Sequence, residues 1–200
     1  MPAKKQITRQ AILDAAFELI RKNGMGTVNA REVARRMGCS TQPIYLSFAN
    51  MEELKAALVQ KADALYQSYV AQDIASGAYP PYKASGMAYI RFAKEEKELF
   101  KLLFMRDRTQ EDPPTESPEY LALIALLRKN NGLSDDEARL FHLEMWTYVH
   151  GIAAMTATDY LELDSTLASR MLTDAYEGLR YRYGQQKEQE NRKEKQDGSN

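Results

Sequence analysis

Cysteine occurs once in the 200 residues, at Cys39, which excludes an internal disulfide and a cysteine-based zinc site and fits a reducing compartment. Histidine occurs twice, at His142 and His150. Eight residues along one helix separate them by about 12 Å in rise, too far to share one metal ion. Long apolar runs are missing, since the longest, 121–127, falls far short of the roughly twenty residues of a membrane span. Lys4 and Lys5 precede an apolar stretch at 12–20, but Asp14 and Glu18 interrupt it and no small-residue cleavage site follows. A cytoplasmic protein without membrane contact is therefore expected. Also absent are a P-loop, Gly-x-Gly-x-x-Gly, His-Glu-x-x-His and Gly-x-Ser-x-Gly, so no catalytic apparatus, cofactor or metal is expected. Asp135-Asp136 is the most conspicuous acid pair, and it stands at a helix start, where the dipole favours negative charge.

Sustained period-two alternation is missing too, whereas helical periodicity runs through the chain. Ile12, Ala15, Ala16, Leu19 and Ile20 form one stripe, stopped at Asn23-Gly24. Asn29 with Glu32, Asn50 with Glu53 and Ser134 with Glu137 have the form of capping boxes. Ser40 is expected to cap a third helix through 48, and Asn50 to open a fourth that reaches about 74. Further helices are expected at about 82–95, 96–105, 118–130, 135–158 and 165–183, with a polar exposed loop at 106–116. Gly184 should end the last helix, because 185–200 carries no apolar residue and reads as a disordered polar tail.

The fold class is thus all-α, with about nine helices. An N-terminal three-helix unit, 1–50, is joined by a linking helix to a larger helical unit, 51–184. Charge divides at the same place: residues 1–50 carry eight Lys or Arg against three Asp or Glu, while 51–200 carry nineteen against twenty-five. A basic head on an acidic body attracts phosphate at one end only.

Within the head, a short helix, the turn Gly38-Cys39-Ser40 and a second short helix form the pattern of a helix-turn-helix. Ile44 and Phe48 anchor the second helix, so that Thr41, Gln42 and Tyr45 point outward. Gln pairs with adenine, Thr touches a base edge or thymine methyl, and Tyr bonds phosphate. Ser40 stands at the leading end of this face, and Lys4, Lys5, Arg31, Arg35 and Arg36 surround it.

The run from Ile12 to Gly24, then Asn29 to Phe48 with its Tyr45-x-x-Phe48 ending, then Glu52-Glu53-Leu54, resembles the N-terminal domain of TetR/AcrR-family transcriptional regulators over about 7–56. The resemblance implies that Thr41, Gln42, Pro43 and Tyr45 meet bases or phosphates, that Arg31 abuts the DNA backbone, and that Ser47 stands where the family often has His. Met51 stands where the family usually has a phosphate-touching Lys, and the free N–H groups of that helix N-terminus remain to hold a phosphate. Tyr89 to Ala93, Glu98 to Phe104 and Trp146 to Gly151 resemble the subgroup whose body is named for a Trp-His-Gly signature. In such proteins the body binds a small molecule and dimerises through its last two helices.

Tyr66, Tyr69, Tyr89, Phe100, Phe104 and Trp146 suit the lining of a mostly apolar effector pocket. His150 reads either as a satisfied core histidine or as a polar anchor in that pocket. Dimerisation is expected through 134–158 and 165–183, the latter with the stripe Leu167, Met171, Leu172, Tyr176 and Leu179. The expected partners are double-stranded DNA, an unidentified small-molecule effector and a second copy of the chain, in a repressor released from a palindromic operator. The rival reading is an all-α interaction protein, separable by whether affinity for duplex DNA falls with salt.

Overall fold

The computed structural model describes residues 7–109 and 116–197, with side chains through Gln189. Lys4, Lys5 and most of the loop expected at 106–116 lie outside the described residues. Among the described residues the regular secondary structure is all helical, with no strand. The helices are α1 (Arg9–Asn23), α2 (Ala30–Met37), α3 (Gln42–Ser47), α4 (Met51–Ser76), α5 (Pro81–Glu95), α6 (Lys97–Phe104), α7 (Pro118–Asn131), α8 (Asp135–Ala157) and α9 (Ser165–Asp197), with one 3-10 turn at Met25–Thr27.

Caps fix most boundaries where the side-chain chemistry requires them. The side chains of Asn29, Asn50 and Ser134 accept from the backbone N–H of Glu32, Glu53 and Glu137, and Ser134 closes a full capping box. Gly38 ends α2 in the left-handed conformation, which reverses the chain into α3. Two expectations need correction. Thr41 rather than Ser40 stands at the cap of α3, and no side chain closes its first turn; the Thr41 carbonyl accepts from Ile44 instead, at 3.1 Å. Gly184 does not end the last helix, and the tail expected to be disordered continues as helix to Asp197. Contacts on either side offset the roughly 1 kcal/mol that a mid-helix glycine costs. Tyr183 is buried against Phe141, with ring centroids 5.6 Å apart, and Lys187 reaches the Gly132 carbonyl and Glu137.

One apolar cluster runs from Ile12, Val33 and Ile44 in the first three helices through Leu54 and Leu58 of α4 into Phe92, Phe100 and Leu172. A second cluster, with Ile124, Leu127, Phe141 and Met145, closes the far end around α7 and α8. The head is also clamped to the body by polar contacts. Arg21 of α1 grips Glu96, between α5 and α6, and Lys61 of α4 reaches Asp14 of α1. Gly24, at φ 78 and ψ 168, closes α1 against α6; a Cβ there would stand 2.6 Å from a Glu98 carboxylate oxygen.

Candidate functional site

The first candidate surface is the outer side of α3. Ile44 and Phe48 are buried at 1% and 2% exposure, in one apolar cluster with Ala34 of α2. Their burial turns Gln42 and Tyr45 out to solvent, with Ser40 exposed before them and Thr41, Pro43 and Ser47 half-buried along the flank. Arg31 and Arg36 are exposed on α2, and Arg35 beside them pairs with Glu32 at 2.6 Å. The side chains expected on this face, apart from Lys4 and Lys5, are therefore all exposed or half-buried on α2, α3 and the turn between them.

Two residues on this surface went unread in the sequence. Leu46 is 80% exposed beside Tyr45, a large apolar group left in solvent. Arg9 stacks its guanidinium 3.8 Å from the Phe48 ring centre, pairs with Glu53 at 2.8 Å and donates to the Ser47 carbonyl. Glu53 in turn accepts from the Ala49 N–H at 2.6 Å. That N–H and Arg9 both hold its carboxyl below the ordinary range, the N–H more strongly. This knot fixes where α3 ends relative to α1 and α4. Its partners lie 38 and 44 residues apart in the chain, so periodicity gave no sign of it.

The second candidate is an open cavity of about 610 Å³ lined by α4, α5, α7, α8 and α9 with the end of α6. Of the aromatic residues expected to line it, Tyr66, Tyr89, Phe104 and Trp146 do so. Tyr69, Phe100 and His150 do not, for physical reasons. Tyr69 turns to Glu95, donating to it at 2.9 Å, and burial followed by that carboxylate pushes its hydroxyl up to about 12. Phe100 is wholly buried, with its ring against Tyr89 at 5.3 Å. His150 lies behind the wall, stacked between Phe100 and Trp146 with its Nδ1 2.9 Å from the Tyr89 hydroxyl. Its Nδ1 is engaged, and through it His150 holds the hydroxyl of a lining residue.

Reading the sequence missed Tyr82, Tyr120, His142 and Tyr176, all on the cavity wall. Tyr82 lies 3.1 Å from Nδ1 of His142, and the Tyr120 ring meets the same imidazole edge-on at 5.3 Å. The available signal was a second Tyr-and-His spacing, 82 to 89 on α5 against 142 to 150 on α8. Burial lowers both imidazoles below their ordinary 6.5 and raises the hydroxyls of Tyr66, Tyr82 and Tyr89, so these rings are uncharged at neutral pH. Gly86 lets α9 close over α5, since a Cβ there would meet Leu172 at 3.0 Å.

The expected dimer stripe on α9 divides. Leu167 is exposed and Met171 and Leu179 are half-buried, but Leu172 is buried and Tyr176 turns inward to Asn131 at 2.9 Å. On α8, Leu140, Leu143, Tyr148 and Met155 are exposed large apolar side chains. Among the described residues, no group of three or more His, Cys, Asp or Glu is placed to hold a metal ion, and no helix is long and apolar enough to cross a membrane.

Comparison with known proteins bears on both surfaces. Residues 12–58 match the family described as bacterial regulatory proteins of the tetR family, and residues 82–176 match the tetracyclin repressor-like C-terminal domain. A helix-turn-helix-type transcriptional regulator of Haemophilus influenzae, itself uncharacterised, is 33% identical over 70 residues, a stretch that spans 34% of this chain and 34% of that relative. The fold is similar to that of a TetR-like transcriptional regulator from Rhodococcus sp. RHA1, with a TM-score of 0.63 at 18% identity over 90% of this chain and 97% of the other.

Proposed function

Because the chain belongs to the TetR family of transcriptional regulators, we propose that it is a homodimeric repressor whose α3 reads a near-palindromic operator and which a small-molecule effector releases. In this reading residues 1–50 are the DNA-binding head and the body from residue 51 on is the effector-binding and dimerisation unit. The observation that carries it is the pairing of an outward α3 face, held by buried Ile44 and Phe48, with a roomy aromatic cavity touched by α4, the helix that begins beside α3.

Ser40, Thr41, Gln42, Pro43, Tyr45, Ser47 and Arg31 are assigned to DNA, with Lys4 and Lys5 added from the sequence. Arg31 and the N-terminus of α4 hold phosphates, while Gln42 and Thr41 address base edges. Exposed Leu140, Leu143 and Met155 of α8 supply the apolar part of the dimer face, with Leu167 of α9. An effector that binds better to a conformation with displaced heads lowers DNA affinity by the ratio of its two affinities.

The test is selection of the purified protein on a randomised duplex library, with affinity compared at two salt concentrations. Enrichment of a palindrome whose affinity falls steeply with salt supports the reading. Absence of any salt-sensitive duplex binding overturns it in favour of a helical interaction protein.

A further inference from the structure

We propose that the cavity selects an uncharged, ring-bearing ligand with a hydrogen-bond acceptor, which the Nε2–H of His142 meets. The inference rests on the effector reading above and names the chemical class of that effector.

The argument begins with spacing. Tyr82 and Tyr89 are seven residues apart on α5, and His142 and His150 eight apart on α8, close to two helical turns in each case. Because the lower Tyr meets the lower His and the upper meets the upper, at 3.1 and 2.9 Å, the two helices run side by side in the same direction. Their contact is a ladder with two Tyr–His rungs.

A phenol is a stronger hydrogen-bond acid than a neutral imidazole, so in each rung the hydroxyl donates to Nδ1 and the imidazole carries its own proton on Nε2. In the upper rung that imidazole lies behind the wall, stacked on Trp146. In the lower rung His142 is part of the wall. Among the described residues no side-chain N or O atom is both buried and without a partner, and the bond recorded for His142 is made by Nδ1. Its Nε2–H is thus not buried without a partner, and it belongs to a residue of the cavity wall.

Charge selects against ions. Three charged groups belong to the lining, Lys83, Glu119 and Glu177, and the two carboxylates are exposed and already engaged. Lys83 donates to Thr173 at 2.7 Å, Glu177 pairs with Arg180 at 2.6 Å, and Glu119 is held in the first turn of α7 by its own backbone N–H and Ser117. The interior offers phenols, neutral imidazole, aliphatic groups and the faces of Phe104 and Trp146. An ionic ligand entering there sheds its hydration, and the one cation of the lining, Lys83, which bonds only the neutral Thr173 hydroxyl, is partly exposed so that water screens its charge. A volume of about 610 Å³ admits a ligand of two or more rings.

Trp146 is the single tryptophan and lines the cavity, so its emission reports occupancy in the unlabelled full chain. The probes share one skeleton: biphenyl, 4-acetylbiphenyl, biphenyl-4-carboxylate and biphenyl-4-ylmethylammonium. The ketone is expected to bind about tenfold more tightly than either ion and more tightly than the hydrocarbon. His142→Phe is expected to erase the ketone's advantage over biphenyl. His142→Gln, which keeps an N–H donor, retains it, and thermal melts show that both variants are folded. Either ion binding as tightly as the ketone overturns the proposal, as does a His142→Phe loss that is equal for ketone and hydrocarbon. No response to any of the four, biphenyl included, overturns the reading of the cavity as an effector site.

Discussion

Arg21 and Glu96 stand 75 residues apart in the chain, yet the Arg21 Nε donates to Glu96 Oε2 at 2.8 Å while a second guanidinium nitrogen holds Oε1. The carboxylate side chain is 6% exposed and the guanidinium 40%, so the acid is buried and its partner is the bridge to solvent. Truncation of Arg21 leaves a buried carboxylate without its fork. Arg21→Ala is expected to cost about 1–3 kcal/mol, less than a fully buried pair because the guanidinium is half in water. Urea unfolding monitored by helicity checks it, and an unchanged midpoint would show that the pair contributes nothing to stability.

Gly24→Ala tests the same junction by a different route. Gly24 has φ 78 and ψ 168, a region essentially reserved for glycine, and its missing Cβ faces Glu98. The expected loss is about 1–3 kcal/mol of stability. Glu98→Ala on top of Gly24→Ala relieves the steric part and leaves the backbone part, so a double variant as stable as the parent would show that the backbone carries no cost.

Gln42→Ala addresses base reading. Gln42 is exposed on α3, with the buried Ile44 fixing its direction. The variant is expected to lose about 1–3 kcal/mol on the selected operator and to relax preference at one base pair in each half-site. Equal weakening on every duplex would instead make Gln42 a phosphate contact.

The pH dependence of stability follows from the two imidazoles. Burial holds both below their ordinary 6.5, so in the window beneath that value the unfolded chain binds protons that the folded chain refuses. Stability is therefore expected to fall as pH drops from about 7 through the lowered folded values. Asp14 and Glu137, held below the carboxylate range mainly by Lys61 and by the Ser134 backbone N–H, add their losses only at more acid pH. Melting temperatures between about pH 7.5 and 5.5 should flatten in the His142→Gln, His150→Gln double variant. An equally steep profile would place the proton uptake elsewhere.

Much of this fold was legible because its signals are local. Asn29, Asn50 and Ser134 cap where their spacing to Glu32, Glu53 and Glu137 places them, and Gly38 and Gly132 end helices in the left-handed conformation. The α3 face was legible for the same reason, since Ile44 and Phe48 lie one helical turn apart. Gly184 misled because its effect is overridden by Tyr183 and Lys187, whose partners Phe141 and Gly132 lie far away in the chain. The cavity was half legible. Aromatic composition suggested Tyr66, Tyr89, Phe104 and Trp146, but which rings face inward depends on how α5, α8 and α9 are set against each other. A hydrogen bond such as that of Tyr69 to Glu95 was enough to turn a ring away.

The linking helix α4 runs 26 residues without proline or glycine, a rod about 39 Å long. Tyr66 and Val70 touch the cavity 16 and 20 residues along from Asn50, which caps the end beside α3. Such a rod converts angle into distance. A tilt of about 5° sweeps its far end by about 3.4 Å, the rise of one base-pair step. Two rods tilting oppositely in a dimer change the separation of the reading helices by about 7 Å, a fifth of the roughly 34 Å between successive major grooves. In the proposed dimer, leverage of this kind would set the scale of wall movement at which two heads lose register with one face of a duplex.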